Sequence, residues 1–161
     1  MNQPAGRAGL SLLEIVIVLA VLAILAGLVA WQWPSPLGPA TGALRNLVSQ
    51  GRLEAVVRNE PVAVVLDAAL GEYQLRHAAG ASALADVCME GPVLARLPLS
   101  DFRGVRPGPF RAGIVWLPTG YGRTCTGGAV FNSTIQLSHG AQQGRVIVSR
   151  AGRVRTELYS R

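Results

Sequence analysis

Four arginines close to the carboxyl end of the chain have the residue type and spacing of a phosphate-binding cluster: Arg145, Arg150, Arg153 and Arg155. The last two are separated by Val154, so on a β-strand both would lie on one face while the valine faces the core. A turn at Ala151-Gly152 would place all four on one hairpin. Guanidinium groups bind phosphate through paired N–H donors. The pattern predicts a polyanion-binding hairpin; the alternative is a turn followed by an ordinary solvated strand.

The distribution of charge supports a polyanion partner. All 15 basic side chains are Arg, and the formal net charge is +6. From Leu10 to Asp101 eight acidic residues outnumber five arginines, whereas from Phe102 to Arg161 nine arginines accompany one acidic residue, Glu157. Such a basic half points to a polyanion or an anionic surface. No aromatic residue stands between the clustered arginines, which favours contacts with a phosphate backbone over base stacking.

A single carboxylate, Glu14, stands at the start of a long apolar run, and the next charged residue is Arg45. As a helix, Leu10–Trp33 would be about 36 Å long, enough to cross a hydrocarbon core of about 30 Å with some tilt. A carboxylate in lipid costs up to about 3 kcal/mol unless a partner offsets it, so an acidic residue here is typical of a functional position. Arg7 on the short side predicts a cytoplasmic amino terminus and an extracytoplasmic remainder.

Two other interpretations of this run are a cleaved secretory signal and an ordinary membrane anchor. A secretory signal needs a shorter apolar stretch, about 7–15 residues, and a small-residue exit. Here the run is longer and ends in Trp31-Gln32-Trp33-Pro34, where the tryptophans suit a membrane surface. We therefore expect a retained membrane helix in which Glu14 has a role of its own.

The two cysteines, Cys88 and Cys125, are too few for a four-ligand zinc site. In an oxidising, extracytoplasmic compartment they would form a disulfide; the alternative is two buried free thiols. Common catalytic motifs are missing, since the sequence has no G-x-S-x-G, H-E-x-x-H or G-x-x-x-x-G-K pattern. His77 and His139 are isolated. We expect no enzymatic activity, cofactor or metal.

A second helix and a set of short strands must position these residues. Apolar residues at helical spacing predict a helix capped by Thr41 and ending near Asn59, with a buried stripe formed by Leu44, Leu47, Val48, Gly51 and Ala55. Three prolines would break or kink the chain before it: Pro34, Pro36 and Pro39. Strands are expected at 62–66, 73–76, 93–97, 114–117, 129–137, 144–149 and 153–159. The rest of 77–112 is expected to be irregular, and the fold class is α+β.

The start of the chain resembles the processing signal of type IV pilins. Gly9-Leu10-Ser11-Leu12-Leu13-Glu14 precedes the apolar run as in that signal, with Leu10 and Ser11 where Phe and Thr are commoner. The resemblance implies a leader, residues 1–9, which a prepilin peptidase removes after Gly9, and N-methylation of Leu10. It also implies that Glu14 pairs with the terminal amine of a neighbouring subunit during assembly, which would relieve the cost of a carboxylate in lipid.

Later segments resemble the GspH/FimT branch of the pilin-like proteins, which comprises minor pseudopilins of type II secretion and minor pilins of type IV pili. The segments are Leu44–Val62, Arg145–Ser149 and Gly152–Arg155. The implied fold is a long amino-terminal transmembrane helix packed on a carboxy-terminal antiparallel β-sheet domain. The implied organisation is a membrane and filament-core helix at 10–33, a Pro-rich break with a second helical stretch at 34–61, and an extracytoplasmic β domain at 62–161.

The same resemblance implies a minor pilin at or near the tip of a type IV pilus, held in the inner membrane with a periplasmic domain before assembly. In FimT-like members a carboxy-terminal G-R-x-R, here Gly152–Arg155, implies non-sequence-specific DNA binding during natural transformation. The alternative is a type II secretion minor pseudopilin with a purely structural role. The implied partners are other pilin or pseudopilin subunits, the prepilin peptidase, the inner membrane and, in the first case, DNA.

Overall fold

The computed structural model describes residues 12–31, 35–80, 83–110, 113–128, 133–149 and 151–160, with the side chains of the first segment described up to residue 26. The chain divides into two compact units, residues 1–34 and 35–161. Positions 129–132 of the predicted strand 129–137 lie outside the described residues, as do several residues singled out in the sequence: Arg7, Gly9, Leu10, Ser11, Gln32, Trp33, Pro34 and Arg150.

The first unit contains helix α1, Leu12–Trp31, with Glu14 in its first turn. Its side chains from residue 12 to residue 26 are all exposed, Leu12 to 82% and Ile24 to 64%. Glu14 takes part in an interaction within the chain. Across the part of the chain that the structure describes, no helix is long and apolar enough to cross a membrane.

The second unit begins with helix α2, Leu37–Arg58. The predicted stripe is confirmed, because all five of its residues are buried. The predicted start is wrong, since Thr41 lies inside the helix and its Oγ1 donates to the carbonyl oxygen of Leu37 at 2.7 Å. Pro39 is accommodated because it stands in the first turn, where backbone N–H groups have no acceptor within the helix.

Two antiparallel sheets follow α2 in the described chain. The first has the order β3-β2-β1-β5-β6, and the second has the order β4-β7-β8-β9. The nine strands are β1 Val62–Asp67, β2 Glu72–His77, β3 Val93–Pro98, β4 Arg106–Pro107, β5 Ile114–Trp116, β6 Gly122–Thr124, β7 Ser133–His139, β8 Gln142–Val148 and β9 Val154–Ser160. The segment 77–112, expected to be irregular apart from one strand, also contains β4. Its described part further contains helix α3, Leu84–Glu90, and a 3₁₀ turn, Leu99–Asp101.

The five-stranded sheet has a helix packed on each face. Because strand residues alternate, Val62 and Val64 join the core beneath α2, whereas Ala63 joins a second cluster with Val87 and Cys88 of α3. α2 also packs against β7, β8 and β9 of the second sheet. The main core therefore lies between α2 and both sheets, and this arrangement leaves the other face of the four-stranded sheet outward.

Candidate functional site

The hairpin formed by β8 and β9 is closed by a turn with a defined set of hydrogen bonds. The Ser149 amide donates to the carbonyl oxygen of Arg153 at 2.9 Å, and the Gly152 amide donates to the carbonyl oxygen of Ser149 at 2.9 Å. The Arg153 amide donates to the Ser149 hydroxyl at 3.1 Å. Gly152 has φ +77°, a left-handed conformation that glycine adopts without strain. This turn fixes the register in which Val148 faces Val154.

Register and alternation decide which side chains of the hairpin face outward. Val146 and Val148 are buried, so Arg145 and Ile147, at the alternate positions, lie on the other face of β8. Ile147 pairs with Arg155 of β9, and Arg145 pairs with Glu157, so these residues share the outward face.

The sequence interpretation placed Arg153 and Arg155 on one face with Val154 turned inward. In the structure Val154 packs against the core and both arginines are exposed. The structure therefore brings Arg145, Arg153 and Arg155 onto one hairpin.

The three arginines differ in how many contacts their guanidinium groups make with other side chains of the protein. The guanidinium of Arg145 covers the ring of Tyr159, whose hydroxyl donates to Oε1 of Gln143. Nη2 of Arg155 lies 3.6 Å from Oε1 of Glu157, and both side chains are exposed, so this ion pair contributes little stability. Arg153 makes no ion pair or side-chain hydrogen bond with any residue the structure describes. Arg153 is thus the most available of the three cations.

Arg153 lines two neighbouring depressions of the surface. The first, about 250 Å³, lies on the hairpin and is also lined by Ile147, Ser149, Ala151 and Arg155. The second, about 500 Å³, lies between α2 and the turn and is also lined by Ser49, Arg52, Leu53, Val56, Gly152 and Val154. We call the second depression the α2 groove.

Arg52 is a residue of this surface that sequence reasoning missed. Its Nη1 donates to the carbonyl oxygen of Gly152 at 3.3 Å, across 100 positions of sequence. Helical periodicity placed Arg52 outside the buried stripe, but no pattern in the sequence pairs it with a turn so far along the chain.

The two cysteines are joined by a disulfide that links α3 to the segment after β6. Their Cα atoms are 6.0 Å apart. Cys88 is buried with Ala63 and Val115, and Cys125 packs against the same cluster. The bridge therefore fastens α3 to the sheet face opposite α2.

Two further titratable side chains of the described chain are those of His77 and Tyr73. His77 Nδ1, in the last residue of β2, lies 3.5 Å from Glu60 Oε2. Within the described segments, no three His, Cys, Asp or Glu side chains are placed to hold a metal ion. Burial raises the pKa of Tyr73 well above its usual range. Its hydroxyl has no hydrogen-bond partner among the described residues, and its side chain lies in the main core.

Comparison with known proteins gives matches along most of the chain. Residues 40–152 match the family model described as type II transport protein GspH, and residues 4–30 match the prokaryotic N-terminal methylation motif. Among solved structures, the fold resembles that of the minor pseudopilin EpsH from the type 2 secretion system of Vibrio cholerae. The TM-score is 0.54 at 13% identity, over 78% of this chain and 98% of that one. No curated protein sequence matches significantly.

Proposed function

Because the chain belongs to the GspH family of pilin-like proteins, we propose that it is a minor pilin of a type IV pilus that binds DNA through the β8–β9 hairpin. The observation that carries the DNA-binding part is the pair of exposed guanidinium groups at Arg153 and Arg155, beside one depression of the surface. They stand in the basic half of the chain, where Glu157 is the single acidic residue.

Processing and assembly form the first part of the proposal. The match to the methylation motif spans Gly9, Leu10 and Glu14, which supports cleavage after Gly9 by a prepilin peptidase and methylation of Leu10. The exposed apolar side chains of α1 would be covered first by the inner membrane and then by other subunits in a filament. Glu14 would set the position of the subunit by pairing with a neighbour's terminal amine, and the β domain would face outward near the tip.

The second part of the proposal concerns what the hairpin binds. Arg153 has its guanidinium donors available, and the exposed pair of Arg155 with Glu157 is weak enough for a phosphate to replace. One face of the Tyr159 ring is covered by Arg145, and no aromatic residue stands between the arginines of the hairpin. Contacts with the phosphate backbone, without base stacking or sequence readout, therefore fit this surface best.

The test is the affinity of the full-length protein, in nonionic detergent micelles, for a short duplex of random sequence across a salt series. Replacing Arg153 and Arg155 with Gln should flatten the log–log salt dependence by about 2, because each phosphate contact contributes about 0.9. The control, Arg103→Gln with Arg123→Gln, removes the same charge from two exposed positions that are not part of the hairpin. Absence of DNA binding by the parent, or equal slopes for the two double variants, would contradict the proposal.

A second candidate is a minor pseudopilin of type II secretion with a purely structural role. It is favoured by the likeness of fold to EpsH, which extends over 98% of that chain. On this interpretation the hairpin packs against other subunits and the parent protein does not bind DNA. Deletion of the gene in its host separates the candidates, because it should abolish natural transformation in the first case and protein secretion in the second.

A further inference from the structure

We infer that the phosphate-binding surface continues from the hairpin over the turn into the α2 groove, where Arg52 is a further DNA-contacting residue. This inference rests on the proposed DNA binding. It adds a path for the DNA backbone across the protein surface, and it adds one residue of α2 to those that contact DNA. The inference rests on the position of Arg153, which lines both depressions. It lines the smaller one together with Arg155 and the α2 groove together with Arg52.

The α2 groove has an unbalanced charge. Arg52 and Arg153 both line it, and none of its described lining residues is acidic. The nearest carboxylate along the helix, Glu54, lies 2.7 Å from Nε of Arg58 and is therefore engaged elsewhere. Two like charges in one concave site focus a positive potential there, which favours an anion such as a phosphodiester.

Arg52 retains most of its hydrogen-bonding capacity. A guanidinium has five N–H donors, and the structure accounts for one of them, in the bond to the neutral carbonyl oxygen of Gly152. A neutral acceptor leaves the positive charge uncompensated. The remaining donors can therefore serve a phosphate while the bond to the turn is kept.

The two glycines beside Arg52 leave room for its guanidinium. A Cβ atom added at Gly152 would lie 2.9 Å from Nε of Arg52, and one added at Gly120 would lie 3.4 Å from the same atom. The guanidinium thus lies close against both turns, and α2 is tied to the segment that carries Arg153. A cation held in this way loses little conformational freedom when it binds a phosphate.

The experiment uses the full-length protein in detergent micelles with the same short duplex. Arg52→Gln should weaken binding about eightfold at about 0.1 M salt and flatten the salt dependence by about 0.9, as expected for one lost phosphate contact. Arg52→Lys keeps the charge and should keep the parental slope, whereas a purely structural role would weaken both variants alike. Arg103→Gln is the control, because Arg103 adjoins Gly104, beside His139 at the opposite end of the four-stranded sheet.

The outcomes separate the inference from the proposed function. If the parent binds DNA and the Arg153→Gln/Arg155→Gln variant shows the flatter salt dependence expected of it, but Arg52→Gln behaves like Arg103→Gln, the inference alone is wrong. If the parent does not bind DNA, both are wrong. Weaker binding with a flatter salt dependence in Arg52→Gln, together with the parental slope in Arg52→Lys, supports the path through the groove.

Discussion

The guanidinium carbon of Arg145 lies 4.3 Å from the ring centroid of Tyr159, diagonally across the hairpin. This contact makes Arg145 a stabilising residue of the hairpin and reduces its availability to an anion. Replacing Arg145 with Gln and Tyr159 with Leu, singly and together, should reveal a coupling of about 0.5–1 kcal/mol in the free energy of unfolding. Arg145→Gln should also change the salt dependence of DNA binding less than Arg153→Gln. Additive effects on stability would contradict this assignment.

Gly51 allows α2 to approach the five-stranded sheet closely. A Cβ atom there would lie 2.7 Å from Cδ1 of Leu75 and 3.1 Å from Cδ1 of Trp116, so Gly51→Ala should lower the free energy of unfolding by about 1–3 kcal/mol through overpacking. Gly42→Ala is the matched control on the same helix, because nothing lies within 4 Å of an added Cβ. It should raise stability by about 0.5–1 kcal/mol. Urea unfolding measures the free energy for both variants. If Gly51→Ala and Gly42→Ala changed it by the same amount in the same direction, the packing argument would be wrong.

The disulfide should contribute strongly to the stability of the β domain. Replacing Cys88 and Cys125 together with Ala should lower the free energy of unfolding by up to about 4 kcal/mol, because the unfolded chain is no longer cross-linked over a loop of this length. Thermal unfolding of the parent with and without a reductant provides the companion measurement. The role would be excluded by two free thiols in protein taken from the periplasm. It would also be excluded if reductant left the unfolding temperature of the parent unchanged.

Tyr73 gives the domain a sensitivity to alkaline pH. Burial raises the pKa of its hydroxyl above the unfolded-state value of about 10, so the stability that Tyr73 contributes is complete below that pH and is lost progressively above it. Tyr73→Phe removes this dependence. It also removes a buried hydroxyl for which the described part of the chain offers no hydrogen-bond partner, which should stabilise the fold by about 1 kcal/mol. The difference in stability between variant and parent should widen above about pH 10. A constant difference across pH would contradict the assignment.

Glu14 should act at assembly and not at insertion. Glu14→Ala should still enter the membrane and still be cleaved before Leu10, but it should be found mainly in the membrane and poorly in filaments. Amino-terminal sequencing reports cleavage, and fractionation of cells into membrane and sheared filaments reports assembly. Ile15→Ala is the control, since it shortens an adjacent apolar side chain and keeps the carboxylate. Parental amounts of Glu14→Ala in filaments would rule out the role.

Local periodicity was sufficient to predict the elements that carry the site. The stripe from Leu44 to Ala55 could be predicted because 3.6 residues per turn fixes which residues share a helix face, whatever that face packs against. The opposite orientations of Arg155 and Val154 follow in the same way from alternation along a strand. The G-L-S-L-L-E start resembles its family because the glycine, the carboxylate and the apolar run are close together in sequence.

Other features depended on contacts between distant segments. α3 was not predicted, because a helix of seven residues is too short to show a periodic pattern. It is held in place by the disulfide and by packing on Ala63 and Val115. The start of α2 was misplaced because a proline in a first turn looks the same in sequence as one that breaks a helix. Neither error affects the stripe, because spacing alone places its residues on one helix face.

The amino-acid sequence by itself determined the apolar amino-terminal segment, the helix face that is buried and the two arginines that share an outward strand face, because each depends on neighbours within a few residues. Only the tertiary structure decided that Arg145 covers Tyr159 and that Arg52 reaches Gly152 across 100 positions. Such pairs form when the packing of α2 on two sheets fixes the distances between segments, and no local spacing encodes those distances.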